Sequence, residues 1–263
     1  MRIFVFGNIN AGKTTVIKHL SILLPQYPVF SIDAFRQEYG KGDIQSDCVA
    51  QQRFVDAVGK HEQAIVECTG LGPLGHSLHE AMPKHTGIML HVVSPVETCL
   101  ERVASKDFAA IPYPPYSETI EQTIIRCDQE ILSGELDKLW ADRILQSFPV
   151  EGSQDSLSVE LATLPLRHYV IAETITKWAQ KTETISALIS LGSFARGTLA
   201  QFSDLDFFAV TDCKPQEVIE LLSNQLPGLA FVDMLKNKIT LRFADNLLCE
   251  ITIINDIEEM KVF

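Results

Sequence analysis

The chain has 263 residues, of which 46% are hydrophobic, and its formal net charge is −12. This length suits one large domain or two modest ones, each with a real core. The acidic balance disfavours extended duplex nucleic acid as a partner, because tracking a phosphate backbone takes a basic surplus. We find no leader-like start and no apolar run as long as a membrane span, so we expect a cytoplasmic protein.

The first motif along the chain is Gly7–Thr14, between the apolar run Arg2–Phe6 and the helix-like segment Lys13–Leu24. Two glycines let the backbone curl so that successive N–H groups face a phosphate, and the helix N-terminus adds partial positive charge. Lys13 is expected to reach the β- and γ-phosphates, and Thr14 to bind Mg²⁺. The predicted nucleoside triphosphate site comprises Gly7, Asn8, Ile9, Asn10, Ala11, Gly12, Lys13, Thr14 and Thr15.

Strands and helices then alternate as far as residue 150. We predict further strands at Tyr27–Asp33, Gln63–Thr69, Gly87–Ser94 and Arg143–Val150, and helices at Ser46–Lys60, Pro95–Lys106 and Ser117–Trp140. This alternation is typical of a parallel sheet covered on both faces, where ligands bind at the carboxyl ends of the strands. Gly7–Thr14, Asp33 and Glu67 all map to that edge.

Several polar residues of the front half have two interpretations. Asp33 is either catalytic or a helix N-cap, and Glu67 either orients magnesium-bound water or substrate or is an ordinary polar strand end. The Pro-rich segment Ala109–Tyr116 is either a lid or a surface connection. His76 and His79 lie one helical turn apart, but no third ligand is placed beside them, which favours solvated histidines.

The front half resembles the small P-loop kinases, and within them the polynucleotide-kinase-like and zeta-toxin-like group. The residues that carry the resemblance are Gly7–Thr14, Ser31–Arg36, Ile65–Gly70 and Pro95–Arg102. The resemblance implies that Asp33 accepts the proton of the attacking hydroxyl and that Arg36 helps to hold the substrate. It also implies that Arg102 or Arg126 stabilises charge on the transferring phosphoryl group.

The rear half has a different motif. After a predicted helix at Leu166–Gln180 and a strand at Ile185–Leu191, the chain reads Gly192-Ser193 and then Ser203-Asp-Leu-Asp206. Aspartates two residues apart on a strand point to the same side, so Asp204 and Asp206 can bind Mg²⁺ together. A predicted hairpin, Ile239–Phe243 with Leu247–Ile254, offers Glu250 as a third carboxylate, and Asp233 is the reserve candidate.

This second set resembles the polymerase-β-type nucleotidyltransferases, especially the minimal versions of antibiotic-modifying enzymes and toxin–antitoxin pairs. The resemblance implies a mixed sheet with helices on one side and metals held by Asp204, Asp206 and Glu250. It places Gly192, Ser193, Arg196 and Ser203 on the nucleotide. The chain ends at Phe263, so we expect acceptor recognition from the kinase half, a second subunit or a partner protein.

The sequence therefore predicts an α/β chain in two domains. Residues 1–155 form a P-loop kinase-like parallel sheet with helices on both faces, and residues 156–263 form a smaller α+β nucleotidyltransferase domain with a mixed sheet. The leading hypothesis is a bifunctional kinase and nucleotidyltransferase that uses Mg²⁺ and ATP or another NTP. The acceptor is a small molecule, a short RNA end or a protein hydroxyl, and a homodimer or protein partner is possible, without a membrane.

Two alternative hypotheses come from other functional classes. The first is an antitoxin-like or regulatory protein that neutralises a partner. The second is a nucleotide sensor in which one half has lost turnover. Intact Lys13, Thr14, Asp204 and Asp206 favour chemistry over both alternatives.

The six cysteines are scattered without a Cys-x-x-Cys pair, and several lie within apolar runs. This pattern predicts buried thiols in a reducing compartment.

Overall fold

The computed structural model describes residues 1–104, 117–151, 157, 161, 164–200, 202–226 and 228–258. The chain divides into two compact units, Met1–Ala162 and Thr163–Phe263. The domain boundary after residue 155 stays a prediction. The possible lid Ala109–Tyr116 lies outside the described residues. In the described parts of the chain, no helix is both long and apolar enough to span a membrane.

The first unit is built on a parallel sheet whose strands run in the order β2-β3-β1-β4-β5. The strands are β1 (Arg2–Gly7), β2 (Val29–Ser31), β3 (Ala64–Glu67), β4 (Gly87–Val93) and β5 (Ile144–Glu151). The helices are α1 (Lys13–Leu23), α2 (Ile32–Tyr39), α3 (Ile44–Gly59), α4 (Gly72–Ala81), α5 (Val96–Ala104), α6 (Ile120–Leu132) and α7 (Glu135–Trp140). The predicted parallel α/β class is confirmed.

The central strand β1 explains why this sheet is stable. All six of its residues are buried, as expected for a strand between two parallel neighbours with helices on both sides. Phe4 and Phe6 pack on the Trp140 ring with centroids 4.9 and 4.6 Å away, and the Trp140 indole N–H donates to the Gly70 carbonyl at 2.8 Å. This packing holds the carboxyl ends of β1 and β3 together.

Two predicted elements of the first unit have different bounds. The strand predicted to reach Asp33 ends at Ser31, and Asp33 lies in the first turn of α2. The single helix predicted at Ser117–Trp140 is two helices, α6 and α7. Gly134 separates them in the left-handed conformation, with φ of +77°, which an uninterrupted helix cannot contain.

The second unit is a mixed sheet in the order β6-β7-β10-β9-β8. Its strands are β6 (Ile185–Leu191), β7 (Leu205–Thr211), β8 (Leu229–Leu235), β9 (Lys238–Phe243) and β10 (Leu248–Ile254). Its helices are α8 (Leu166–Lys181), α9 (Gly192–Ala195) and α10 (Pro215–Ser223). Only β7 and β10 pair in parallel, so the predicted mixed sheet is confirmed.

The two faces of this sheet differ in burial. On β9, Ile239, Leu241 and Phe243 are buried and alternate with the more exposed Lys238, Thr240 and Arg242. Arg167 of α8 lies over the Phe243 ring, 6.0 Å from its centroid, so the buried face is the one that meets this helix. Residues paired across a sheet share a face. Glu250 pairs with Thr240 and with Asp206, which puts both carboxylates on the more exposed face.

No disulfide joins the six cysteines, all of which lie in the described part of the chain. Cys68, Cys99, Cys127 and Cys249 are buried, as the sequence predicts, whereas Cys213 is partly exposed and Cys48 is exposed. Burial raises the pKa of the Cys68 thiol to about 12, so this cysteine is protonated and inert at neutral pH.

Candidate functional site

The loop Gly7–Thr14 joins β1 to α1, and both of its glycines have a positive φ. Gly7 has φ of +150°, and a Cβ at this position would lie 2.4 Å from the Val92 carbonyl oxygen on β4. Gly12, the residue before α1, has φ of +103°. Glycine at these positions therefore lets the loop pass close to the neighbouring strand and turn into the helix.

Three hydrogen bonds tie this loop to α5 and α6. The Asn8 side-chain amide donates to the Ile124 carbonyl at 2.9 Å, and that of Asn10 donates to the Cys99 carbonyl at 3.3 Å. The Arg102 guanidinium donates to the Asn10 carbonyl at 2.6 Å. The structure thus brings Arg102 to the predicted phosphate loop, although 92 residues separate it from Asn10.

Lys13 lies inside the loop with its ammonium group fully engaged. Its Nζ donates to the carbonyl oxygens of Gly7 at 3.2 Å and Asn8 at 2.8 Å, and lies 3.7 Å from Glu67 Oε1. The other carboxylate oxygen of the buried Glu67 accepts a 2.5 Å hydrogen bond from the Ser31 hydroxyl. Glu67 therefore joins the ends of β2 and β3 to the loop lysine, a position expected of a site residue.

Asp33 and Arg36 lie together on α2. Ser31 is the N-cap residue of this helix, so the alternative that Asp33 caps it is wrong. The Asp33 side chain is 60% exposed, and its carboxylate lies 3.6 Å from the Arg36 guanidinium. Arg36 is buried and donates through Nε to Asp47 at 2.7 Å, while Gln51 donates to the other Asp47 oxygen at 2.6 Å. Asp47 was not anticipated from the sequence; it fixes the arginine beside the exposed carboxylate.

The remaining predicted residues of the first unit lie at or near the loop. Thr14 and Thr15 are exposed in the first turn of α1. Arg126 lies on α6, the helix that receives the Asn8 bond. Its guanidinium pairs with Glu118 at 3.0 Å and Glu130 at 2.8 Å. Arg126 is therefore engaged with carboxylates in this structure, and its role in charge stabilisation stays a prediction.

In the second unit, Gly192 lies directly against one of the predicted carboxylates. Gly192 has φ of +63°, and a Cβ at this position would lie 2.6 Å from Asp206 Oδ2. The turn that it starts continues through Ser193, whose carbonyl accepts from the Thr198 N–H at 2.9 Å, to the exposed Arg196. Gly192 is therefore required both for the backbone conformation and for the space beside Asp206.

The strand register places the acidic residues relative to one another. Asp206 on β7 pairs with Glu250 on β10, Glu250 pairs with Thr240 on β9, and Thr240 pairs with Asp233 on β8. Glu250 is therefore the immediate neighbour of Asp206, whereas Asp233 is two strands further away. Asp204 is exposed and immediately precedes β7. This geometry favours Glu250 over Asp233 as the third carboxylate.

Negative charges crowd the neighbourhood of Asp206 and change its pKa. Partial burial first, and then the charges of Glu250 and Asp204, raise the pKa of Asp206, while Lys238 opposes the shift. Lys238 lies on β9, diagonal to Glu250, and its ammonium pairs with that carboxylate at 2.5 Å. Lys238 was not anticipated from the sequence, although counting back from the hairpin turn would have placed it beside Glu250.

A histidine on α8 anchors the loop that carries Asp204. The buried His168 contacts the Ser203 carbonyl through Nε2 at 2.8 Å, so Nε2 carries the proton and donates. Its Nδ1 is buried without a partner in the described chain, and burial lowers the pKa of this imidazole. Ser203 also accepts from the Ala200 N–H through its hydroxyl at 3.0 Å. The only signal for this role in the sequence is weak, a polar residue on the inward side of an amphipathic helix.

The donor set of the second unit fits a divalent cation better than it fits other groups. Carboxylate oxygens are the ligands that Mg²⁺ prefers, and the excess negative charge around Asp206 is what a cation would offset. In this conformation no three His, Cys, Asp or Glu side chains of the described residues already form a metal cluster. His76 and His79 instead contact the Gly72 carbonyl and the Asp142 carboxylate, each at 2.9 Å.

The chain was compared with known protein families and with solved structures. Residues 171–261 match the family model described as Nucleotidyltransferase domain, and no curated protein matches the chain. Shikimate kinase from Acinetobacter baumannii is 16% identical, with 67% of this chain and 93% of that one covered and a TM-score of 0.43. Deoxyadenosine kinase from M. mycoides with bound dATP is 14% identical, with 61% and 96% covered and a TM-score of 0.39.

A third solved structure is similar over a shorter part of the chain. The CD-NTase CdnG of Bradyrhizobium diazoefficiens in complex with GTP is 21% identical, with 36% of this chain and 35% of that one covered and a TM-score of 0.26. At these identities and TM-scores, none of the three solved structures indicates what this chain acts on. The chain joins a five-stranded parallel sheet to a region, residues 171–261, that matches the nucleotidyltransferase domain model.

Proposed function

We propose that this nucleotide-handling protein is a bifunctional transferase, an ATP-dependent kinase in its first unit and a Mg²⁺-dependent nucleotidyltransferase in its second. The observation that carries the proposal is the approach of Gly192 to Asp206 beside Glu250. Nucleotidyl transfer needs a triphosphate beside metal-binding carboxylates, and here a Cβ added at Gly192 would lie only 2.6 Å from Asp206 Oδ2. The family-model match over residues 171–261 supports the same conclusion.

In the proposed kinase reaction, the oxygen of an acceptor hydroxyl attacks the γ-phosphorus. The bond from the γ-phosphorus to the β–γ bridging oxygen breaks, and ADP leaves. The exposed Asp33 accepts the hydroxyl proton, while Arg36, held by Asp47, orients that carboxylate. Lys13 and Arg102 lie where they can offset charge on the transferring group, since both contact the loop Gly7–Thr14. Arg126 is the second candidate for this role.

In the proposed nucleotidyl transfer, the oxygen of an acceptor hydroxyl attacks the α-phosphorus, and a carboxylate of the set Asp204, Asp206 and Glu250 accepts the hydroxyl proton. The bond from the α-phosphorus to the α–β bridging oxygen breaks, and pyrophosphate leaves. Ser193, Arg196 and the backbone N–H groups of the turn hold the triphosphate. Asp204, Asp206 and Glu250 would hold Mg²⁺ in the second unit. Thr14 would hold Mg²⁺ in the first unit. In each site the ion, when bound, would neutralise charge on the phosphates. Ser203, tied to His168, keeps the loop before β7 in register, so that Asp204 and Asp206 stay on one side.

Double labelling tests both reactions in one protein. The full chain is incubated with Mg²⁺ and either γ-labelled or α-labelled ATP, with GTP in parallel, against small-molecule, oligonucleotide and protein acceptors. We expect a γ-labelled product and an α-labelled product, and we expect Asp204→Asn to abolish only the second together with pyrophosphate release. Unchanged pyrophosphate release in that variant would show that the carboxylates are wrongly assigned. Nucleotide binding by calorimetry without either product would favour the regulatory, antitoxin-like alternative.

A further inference from the structure

The more exposed face of the second sheet, here called the carboxylate face, continues beyond Glu250 onto two further strands. Arg242 on β9 pairs with Leu248 on β10 and with Phe231 on β8. These residues therefore form a row on the carboxylate face, next to the row that contains Asp206 and Glu250. From standard strand spacings, Arg242 is about 8 Å and Phe231 about 12 Å from Glu250 along the sheet.

This row lies at the same end of the sheet as the phosphate-binding turn. Leu191 pairs with Asp206 on an antiparallel neighbour, so Gly192 continues β6 toward the end of β7 that bears Asp204. The parallel pairing of β7 with β10 puts Leu248 at that end too. The turn thus lies on one side of the carboxylates, and Arg242 with Phe231 lies on the other.

Both side chains are available to a ligand. The Phe231 side chain is among the large apolar groups left exposed, with 59% of the residue accessible. Arg242 is exposed, and in the parts of the chain that the structure describes its guanidinium has no ion-pair partner. An aromatic ring beside a free guanidinium is a combination that binds a base by stacking and a phosphate by charge-assisted hydrogen bonds.

We propose that Phe231 and Arg242 form an acceptor platform that binds a nucleotide, so that its hydroxyl reaches the carboxylates while its base stacks on Phe231. This inference rests on the proposed nucleotidyl transfer. The triphosphate occupies the turn on one side of Asp206, which leaves the β9–β8 side for the acceptor. A nucleotide can reach both the carboxylates and the platform, because its base and its phosphate are attached to the ribose that carries the hydroxyl.

Neighbouring charges limit the length of the acceptor. Asp233 lies on β8 two residues after Phe231 and on the same face, where it repels a phosphate backbone that continues along the edge strand. Lys238, the other cation of this face, is already paired with Glu250. The platform therefore suits a single nucleotide unit, either free or at the end of a short single strand, and the experiment separates these two sources.

The test measures α-label transfer by the full chain to AMP, adenosine, ribose 5-phosphate and a short oligonucleotide with a free 3′-hydroxyl. We expect Phe231→Ala to raise the KM for AMP about tenfold, and Phe231→Tyr to restore it, because stacking needs only the ring. Arg242→Gln should raise the KM for AMP but not for adenosine, which has no phosphate. Leu221→Ala and Lys181→Gln, exposed positions on α10 and α8, are the matched controls and should leave KM within twofold.

The outcome separates the platform from the reaction itself. If Phe231→Ala and Arg242→Gln leave the KM of every acceptor within twofold while label is still transferred, the platform is wrong and the nucleotidyl transfer stands. If no acceptor takes label, binding of a fluorescent AMP to the Lys13→Ala chain decides whether the platform binds a nucleotide. Weaker binding after Phe231→Ala supports the platform without turnover, and unchanged binding overturns it. Preferential labelling of AMP or of the oligonucleotide identifies the source of the nucleotide.

Discussion

The two candidate sites of this protein differ in how their charges are compensated. In the first unit, Lys13 is paired with loop carbonyls and Glu67, and Arg36 is paired with Asp47. In the second unit, Lys238 pairs with Glu250, and partial burial followed by the charges of Glu250 and Asp204 raises the pKa of Asp206. The charged groups of the first candidate site are therefore paired within the protein, whereas those of the second carry an excess of negative charge.

Because of this difference, we expect ligand binding to change the stability of the two sites in different ways. A balanced site must exchange internal partners for phosphate oxygens, so its ligand replaces contacts that already exist. An unbalanced carboxylate site gains stability when a divalent ion binds, because the ion offsets repulsion that folding leaves in place. Removing charges one at a time should distinguish the two arrangements.

The largest effect is expected from Lys13→Ala. Loss of the ammonium group should lower γ-phosphoryl transfer about 10³-fold, since it removes a preorganised donor from the developing charge. Transfer of α-label should stay within twofold, because Lys13 belongs to the first unit. The measurement is parallel γ- and α-label transfer by the full chain. An equal loss of both labels would contradict the independence of the two sites.

The next effect tests the contact that carries the nucleotidyl-transfer proposal. Gly192→Ala should lower α-label transfer about 10²-fold, because a methyl group 2.6 Å from Asp206 Oδ2 must displace that carboxylate. Gly197→Ala is the matched control, since Gly197 has a similar φ of +68° but nothing within 4 Å of an added Cβ. Backbone strain is thus similar in the two variants, and their difference measures the crowding at Asp206. Equal losses would assign the effect to strain alone.

A third substitution tests the buried ion pair between Arg36 and Asp47 in the first unit. Asp47→Asn should lower the free energy of unfolding by about 3 kcal/mol, because the buried Arg36 guanidinium loses its charged partner. Asp33→Asn should leave stability nearly unchanged, since Asp33 is 60% exposed, but should lower γ-label transfer. Denaturant unfolding, followed by label transfer at a temperature where both variants are folded, checks the two expectations. Equal stability of the variants would contradict a buried ionic anchor.

Much of this arrangement could be predicted from local sequence. The loop Gly7–Thr14, the buried strand before it and the pair Asp204 and Asp206 all lie within short segments whose spacing reflects backbone geometry. The hairpin that carries Glu250 follows from two alternating runs around a turn. These features provided the fold class and the candidate carboxylates.

The residues that escaped prediction contact partners on other structural elements or loops. Asp47 meets Arg36 from another helix, and His168 meets the Ser203 carbonyl across 35 residues. Neither forms a motif, because the partner is fixed by packing and not by spacing. The break at Gly134 was missed for a related reason, since an isolated glycine is tolerated in many helices and its φ is decided by the packing of α6 and α7.

The smallest expected effect has the opposite sign and tests the excess charge of the second unit. The pKa of Asp206 is raised in the folded chain, so the protonated carboxyl stabilises the folded state relative to the charged form. This contribution to the free energy of unfolding is fully present below the unfolded pKa of about 3.9 and is lost as pH rises through the folded pKa. Without divalent ions at neutral pH, Asp206→Asn should therefore raise the unfolding midpoint by about 2 °C. Mg²⁺ should raise the midpoint of the parent chain and not that of the variant.

The control is Asp233→Asn, in the same row but two strands from Glu250. This substitution should change neither the unfolding midpoint without divalent ions nor its increase with Mg²⁺. A lower midpoint for Asp206→Asn would mean that Lys238 already compensates the carboxylates, and the contrast between the two sites would disappear.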